Sequence, residues 1–405
     1  MQDKWKSISA TAILGAALIV LNACGSGDPD TPEDAGTASV PGVTDNEILL
    51  GSHTDLSGPT AIWGVGSING ARMRFDEANE AGGIHGRQIR FIVEDTGYQV
   101  PRAIQAANKL LHRDKIFAMT FALGTQINNT ILPGQMEAGI PNLFPYTGAR
   151  SMNEPFRRLQ FTQRGVYYDE IRAGVRYSLE ELGKTTPCII HQDTDYGHEN
   201  LDAVIDQAAE MKVEVAATAA HKPTETEFTA TVLRLRNAGC DVVFMGTVYR
   251  DTVLILEAAR KMGWDKVSFV GNDVTYGDVV SNLQSGASEG FSAFGHIAEL
   301  YRDDDLSDEV AAWYDRYEER YGEKPVVAAV EGYRGADLIV EALEIAGKDL
   351  NVDSLIVAME SITDYTDMFG YKVSFGPNDH KGVSESVLSV VEDGRWVTKA
   401  KSVSY

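Results

Sequence analysis

The sequence predicts an α/β protein built from two doubly wound halves that face each other across a cleft. Three observations carry this. From Ile48 onward, short apolar runs alternate with helical patterns, the mark of βαβ units and a parallel sheet. The alternation restarts near residue 159 and runs through a second half of similar size. In both halves the residues just past the apolar runs are aromatic, hydroxyl-bearing or acidic, and ligands in such folds sit at the carboxyl ends of the strands. At 405 residues the chain is too long for one small core, which favours two domains.

Taken in order, residues 48–50 are a buried strand, followed by a polar loop over 52–64 that carries Trp63. Ile68, Ala71, Phe75 and Ala78 recur at helical spacing, and Gly82-Gly83 stop the helix. Residues 87–95 form a strand. Pro101 starts a helix whose apolar face holds Ala103, Ile104, Ala107, Leu110 and Leu111. A third strand over 117–122 ends in Leu123-Gly124-Thr125, a helix runs to about residue 138, and a fourth strand over 141–144 leads into Tyr146-Thr147-Gly148.

In the second half, 159–162 read as a short strand or crossover and 168–182 as a helix. A strand over 188–191 ends in Asp193-Thr194-Asp195-Tyr196-Gly197, and a helix carries Leu201, Val204, Ile205 and Ala208. A strand over 213–217 and a helix marked by Phe228, Val232 and Leu235 follow. A strand over 241–245 ends at Tyr249, a helix runs to Met262, and a strand over 267–270 ends at Asp273. Later pieces are a strand or crossover over 291–295, helices over 308–321 and 326–346, and strands over 371–375, 387–391 and 394–397. These are too few to build a third domain and are expected to complete the two halves.

The first 23 residues read as a secretory signal, with Lys4 and Lys6 before an apolar run over 8–21 too short to span a membrane as a helix. The run ends in Leu21-Asn22-Ala23-Cys24, which resembles a bacterial lipobox and implies cleavage before Cys24 and a lipid on its thiol. Residues 24–45 are small, acidic and rich in Pro and Gly, the composition of a disordered tether. The chain is therefore expected to be exported, periplasmic or at the cell surface, and held to the membrane through the lipid alone. The formal charge of −23 argues against a nucleic-acid partner. Cys188 opens one strand and Cys240 immediately precedes another, and the starts of these strands would be neighbours, so they are the candidate pair for a disulfide, with two buried thiols as the alternative.

Motifs with their own chemistry are weak. Gly64-Val65-Gly66 with Gly70 has a dinucleotide-like look, but the last glycine is one residue late and the first lies far from the strand end. Asp193 and Asp195 begin like a calcium loop without its glycine or late glutamate. There is no H-E-x-x-H or phosphate loop. No enzyme activity, cofactor or metal is expected. Trp63, Thr125, Tyr146, Thr147, Gly148, Tyr196, Tyr249 and Asp273 instead converge as a small-molecule site of mixed polarity.

At these residues the chain resembles the leucine/isoleucine/valine-binding family of ABC-transporter solute-binding proteins, the type I periplasmic binding proteins. The resemblance rests on Ser57-Gly58-Pro59 with Trp63-Gly64, Asn79-Glu80-Ala81-Gly82-Gly83-Ile84, Asp95, Gly124-Thr125 and Gly139-Ile140-Pro141. In the second half it rests on Asp193 with Tyr196-Gly197 and on Gly246 with Tyr249. It implies two Rossmann-like lobes joined by three crossovers, near 161–163, 294–296 and 374–376, with the ligand cleft between them. Lobe one would comprise 46–162 plus 296–374, and lobe two 163–295 plus 375–405.

The resemblance further implies delivery of an amino acid or other small organic solute to an ABC permease. Trp63 would line the lobe-one wall, Thr125 would bind a ligand carboxylate, and Tyr146 to Gly148 would grip the head group. Tyr196 and Tyr249 would be lobe-two aromatics, and Asp273 would pair with an α-ammonium. The head-group loop departs from the family's Ala-Ala-Thr or Ser-Ala-Thr, and the acid is aspartate instead of glutamate. A smaller amino acid, an amide or a flat aromatic acid is thus expected in place of leucine. An extracytoplasmic sensor with the same cleft and no transport role is the alternative.

Overall fold

The computed structural model describes residues 40–383 and 385–403. The signal segment, Cys24 and most of the tether lie outside the described residues. Residues 40–45, read above as the end of the tether, lie against the body. Val40 and Val43 pack on its core, and the Leu49 N–H donates to the Gly42 carbonyl at 2.7 Å.

The first half runs β1 (Glu47–Thr54), α1 (Ala61–Glu80), β2 (Gln88–Asp95), α2 (Val100–Asn108), β3 (Ala118–Thr120), α3 (Thr125–Glu137), β4 (Asn142–Leu143) and β5 (Gln160–Phe161). Its strands form one parallel sheet in the order β2-β1-β3-β4-β5. Side chains alternate between its two faces: Ile48 and Leu50 enter the core beneath α1, while Leu49 packs with Leu110 and Met119 on the other side.

The loop after β1 is shorter than the sequence suggests. The Asp55 carboxylate accepts the backbone N–H groups of Ser57 at 3.2 Å, Gly58 at 2.6 Å and Thr60 at 2.8 Å, together with the Thr60 hydroxyl at 2.7 Å. That folds 55–60 into a tight turn and starts α1 at Ala61, so Trp63 lies in the first helical turn and not in a loop.

The second half runs α4 (Tyr167–Glu180), β6 (Pro187–Gln192), α5 (Asp195–Glu210), β7 (Ala217–His221), α6 (Thr229–Asn237), β8 (Val242–Gly246), α7 (Tyr249–Lys261), β9 (Ser268–Asn272), the short α8 (Asp278–Ser281) and β10 (Ser292–Gly295). The chain then adds α9 (Asp308–Tyr321), α10 (Val327–Ala346), α11 (Val352–Ser361), the short pair β11 (Tyr365–Thr366) and β12 (Lys372–Val373), and the hairpin β13 (Ser386–Glu392) with β14 (Arg395–Val403). The second sheet has the order β14-β13-β10-β9-β8-β6-β7. It is parallel except where β13 pairs antiparallel with β10 and with β14.

Several elements differ from the sequence reading. β7 begins four residues later than expected, because its register against Cys188 to Gln192 is set by Ala217 to His221, an alanine-rich stretch with weak strand character. Both stretches read as strand or crossover, 159–162 and 291–295, hold true strands at sheet positions. α11 was missed; its start is an Asn351–Ser354 capping box, in which Ser354 takes the place usually held by Glu or Gln. Cys188 and Cys240 are joined as a disulfide, with Cα atoms 5.9 Å apart.

α1 and α10 cross in close contact over the first sheet. A Cβ on Gly70 would lie 2.0 Å from the Ala329 carbonyl oxygen. Gly66 and Gly70 therefore serve packing against α10, and Gly64 the close approach of α1 to the Asp55 carbonyl, which answers the dinucleotide-like pattern.

Glu299, just past β10, is buried with its carboxyl toward the N–H groups of Val327 and Asp278, the first residues of α10 and α8. Burial, reinforced by Asp278, outweighs those donors and pushes it up to about 8. The folded state thus binds this proton more tightly than the unfolded chain. The stabilisation is complete below the ordinary carboxyl range and is lost as pH rises through about 8. Thermal melts of the wild type are expected to fall over that window, and Glu299→Gln should flatten the fall. Parallel pH profiles for the two proteins would remove Glu299 from this role.

Candidate ligand-binding site

The strands of both sheets end at one cleft, and its walls come from both halves. On one side Trp63 lies in the first turn of α1, and Tyr146 follows β4. Their ring centroids are 6.4 Å apart. Thr125 opens α3 after Gly124, whose φ of +102° is a left-handed conformation that suits glycine. The first N–H groups of α3 lack intrahelical partners. The Thr125 hydroxyl is 2.7 Å from that of Thr147.

On the other side Tyr196 sits in the first turn of α5. Its hydroxyl is held by the Asn272 side-chain oxygen at 3.0 Å and the Thr247 carbonyl at 3.2 Å. Its ring meets the Tyr167 ring edge-on at 5.1 Å.

These four residues line a cavity of about 40 Å³, together with Thr60, Tyr98, Arg164, Tyr167 and Val274. Two hydrogen bonds cross the cleft beside it. Asn129 of α3 donates to Asp195 of α5 at 2.8 Å, and the Arg150 N–H donates to Glu199 of α5 at 2.9 Å. Trp63 is only 5% exposed.

The remaining expected residues fall around this cavity and do not line it. Thr147 stands behind Thr125. The Gly148 carbonyl accepts the Tyr167 N–H at 2.9 Å. Tyr249, first residue of α7, is half-buried; burial, then the nearby Asp55 carboxylate, raises its phenol, and its hydroxyl faces the Ile62 backbone. Asp273 lies deeper, in a buried ion cluster that sequence reasoning did not foresee. Its Oδ2 is 2.6 Å from Arg164 Nη2 and 3.1 Å from His296 Nδ1. Arg164 Nη1 also reaches Glu331 Oε2 at 2.9 Å, and His296 Nε2 stands 3.5 Å from the same oxygen.

Arg164 is the member of this cluster that reaches the cavity, and its guanidinium lies 4.2 Å over the Tyr146 ring. Burial alone would push the Asp273 carboxyl up, but Arg164 and His296 outweigh it and hold it below its ordinary value. Burial would lower His296; Glu331 and Asp273 raise it instead. Glu170, which accepts the Asp273 N–H at 3.3 Å, is pushed well up by burial and then by Asp273. Glu170, Asp273 and His296 bring three ligand-type atoms within 4.8 Å of one another. Arg164 already occupies one oxygen of Asp273, so the group is an ion cluster built around that guanidinium.

Arg164, Tyr98 and Tyr167 are thus cavity residues that the sequence reading missed. Tyr98 lies in the loop after β2, and Tyr167 is the first residue of α4. Arg164 follows the first expected crossover by one residue, the one signal that could have flagged it.

A family model described as "Periplasmic binding protein" matches residues 47–395. Among curated proteins, the chain is 24% identical over 377 residues to "Leu/Ile/Val-binding protein homolog 8" of Brucella abortus, covering 87% of this chain and 90% of that protein. Two solved structures illustrate the shared fold. A branched-chain amino acid ABC transporter protein from Thermus thermophilus with bound valine superposes with a TM-score of 0.80 at 18% identity, covering 90% of this chain and 98% of that one. An ABC-transporter solute-binding protein from R. palustris in complex with benzoate gives 0.78 at 18% identity, covering 89% and 97%.

Proposed function

The chain belongs to the periplasmic binding protein family, in its leucine/isoleucine/valine-binding type I branch, and from that premise we propose that it is an exported, lipid-anchored receptor. It captures a small organic solute, an amino acid or a related amide or organic acid, and delivers it to an ABC permease. The family consists of ligand binders that do not turn their ligands over, and its place is outside the cytoplasm. In this reading signal cleavage leaves Cys24 as the lipidated residue, and 46–162 plus 296–374 move against 163–295 plus 375–405.

The observation that carries the reading is the cavity walled by Trp63, Thr125 and Tyr146 from one sheet and Tyr196 and Val274 from the other. A ligand there contacts both lobes only when they are closed, so binding shifts the population toward closure. Trp63 Nε1 and Arg164 Nε are buried without a protein partner. Each such donor costs about 1–3 kcal/mol if left unpaired, and a polar solute between the lobes removes that cost. Thr125, backed by Thr147, and the α3 amino terminus form the carboxylate end of the site, and the rings of Trp63, Tyr146 and Tyr196 take the body. Valine in one structural relative and benzoate in another are solutes of suitable kind.

Thermal unfolding against a panel of amino acids, amides and organic acids tests the reading. A true ligand at 100 times its Kd should add about 2.7 kcal/mol of stability. A flat response across every class, with no solute co-purifying, would overturn it.

A further inference from the structure

We propose that the cavity selects organic monocarboxylates with an apolar, ring-like body and rejects their α-amino counterparts. The inference rests on the reading of this cavity as the ligand site and narrows it to a substrate class.

Among the described residues, no carboxylate lines the cavity. An α-ammonium needs an acid in contact, and the acid assigned to that task, Asp273, does not line the cavity. Its Oδ2 holds Arg164 at 2.6 Å and His296 at 3.1 Å, and its Oδ1, buried without a partner among the described residues, lies behind that guanidinium. Glu331, a second buried acid, is held by the same guanidinium at 2.9 Å, and Glu170, a third, accepts the Asp273 N–H at 3.3 Å; neither lines the cavity. The guanidinium stands on the cavity side of Asp273 and Glu331, so an ammonium in the site would meet a like charge first.

The wall instead presents donors. Trp63 Nε1 and Arg164 Nε lack partners, Thr125 contributes a hydroxyl, and the opening turn of α3 contributes free N–H groups. A carboxylate satisfies several of these at once, and charge-assisted bonds of this kind are the stronger ones. The rest of the wall is the rings of Trp63, Tyr98, Tyr146, Tyr167 and Tyr196, which favour a flat apolar body over a polar one. The Arg164–Asp273–His296–Glu331 arrangement thus does two things: it offers a donor to an anion and withdraws the acids from a cation.

The test is isothermal titration of the wild-type protein, freed of co-purified ligand, with matched pairs that differ only in the α-ammonium. The pairs are 4-methylpentanoate with leucine, phenylacetate with phenylglycine, and 3-phenylpropanoate with phenylalanine. The amide 3-phenylpropanamide reports on the carboxylate itself. The acid of at least one pair is expected to bind about thirtyfold or more tighter than its amino acid, and tighter than the amide. An amino acid that equals or exceeds its acid overturns the inference and leaves the solute-receptor reading standing. So does a co-purified solute of another class when no pair member binds. Absence of binding by every solute, with none co-purified, sinks both.

Discussion

Replacing Arg164 with methionine is expected to destabilise the protein by about 3–5 kcal/mol, the cost of stripping a buried charge pair of one partner. Arg164 is 3% exposed and neutralises both Asp273 and Glu331. Its removal leaves two buried carboxylates with only His296 between them. Asp273, held below its ordinary value in the wild type, contributes stability that is present above the ordinary carboxyl value and is lost as pH falls through its lower folded value. Without Arg164 this sign reverses, because burial then favours the protonated acids, and the variant should recover stability toward acidic pH. Urea unfolding at two pH values reads this directly as a shift in midpoint. The triple variant Arg164→Met, Asp273→Asn, Glu331→Gln should regain much of the loss, since it removes the charges together. A single variant within about 1 kcal/mol of wild type at neutral pH would show the cluster to be solvated, contrary to the structure.

Gly332→Val is expected to cost more than about 4 kcal/mol, in the exceptional range for a point mutation. A Cβ at Gly332 would stand 1.9 Å from the Ser67 carbonyl oxygen, a backbone atom of α1 that cannot turn aside. The helices would have to part, and overpacking against flexible side chains alone already costs about 1–3 kcal/mol. Gly332→Ala supplies the test of sign. Helix propensity favours alanine by about 1 kcal/mol, so a stabilised alanine variant would mean that the contact yields easily. A less stable one means that the approach of α1 to α10 dominates. The contact bears on function because α1 carries Trp63, while Glu331, next to Gly332 on α10, holds Arg164. Parting the helices moves one cavity wall against the ion cluster, so ligand affinity should fall with stability in both variants.

Much of the site was legible in the chain. Trp63, Thr125, Tyr146 and Tyr196 were found because each follows an apolar run, and strand ends are where such folds bind. The same rule reached Asp273 by position and erred only on what the residue faces. Arg164, His296 and Glu331 were invisible for a shared reason. A charged residue in a sequence is by default a solvated one, and nothing local marks these three as buried. Tyr98 and Tyr167 were passed over because a tyrosine near a loop is as often packing as site. The limits of β7 escaped because Ala217 to His221 offer a single branched residue, Thr218, among alanines, and it is the neighbouring β6 that draws them into the sheet.

The chain alone determined the family, the alternation of strands and helices and the parallel sheets, because period and punctuation are local properties that each segment carries with it. Tertiary structure alone decided which residues share the cavity and in what charge state. Burial and ion pairing arise between residues far apart in sequence, as with Arg164 and Glu331. Their energies follow the distance between charges and their exposure to water, and folding creates both.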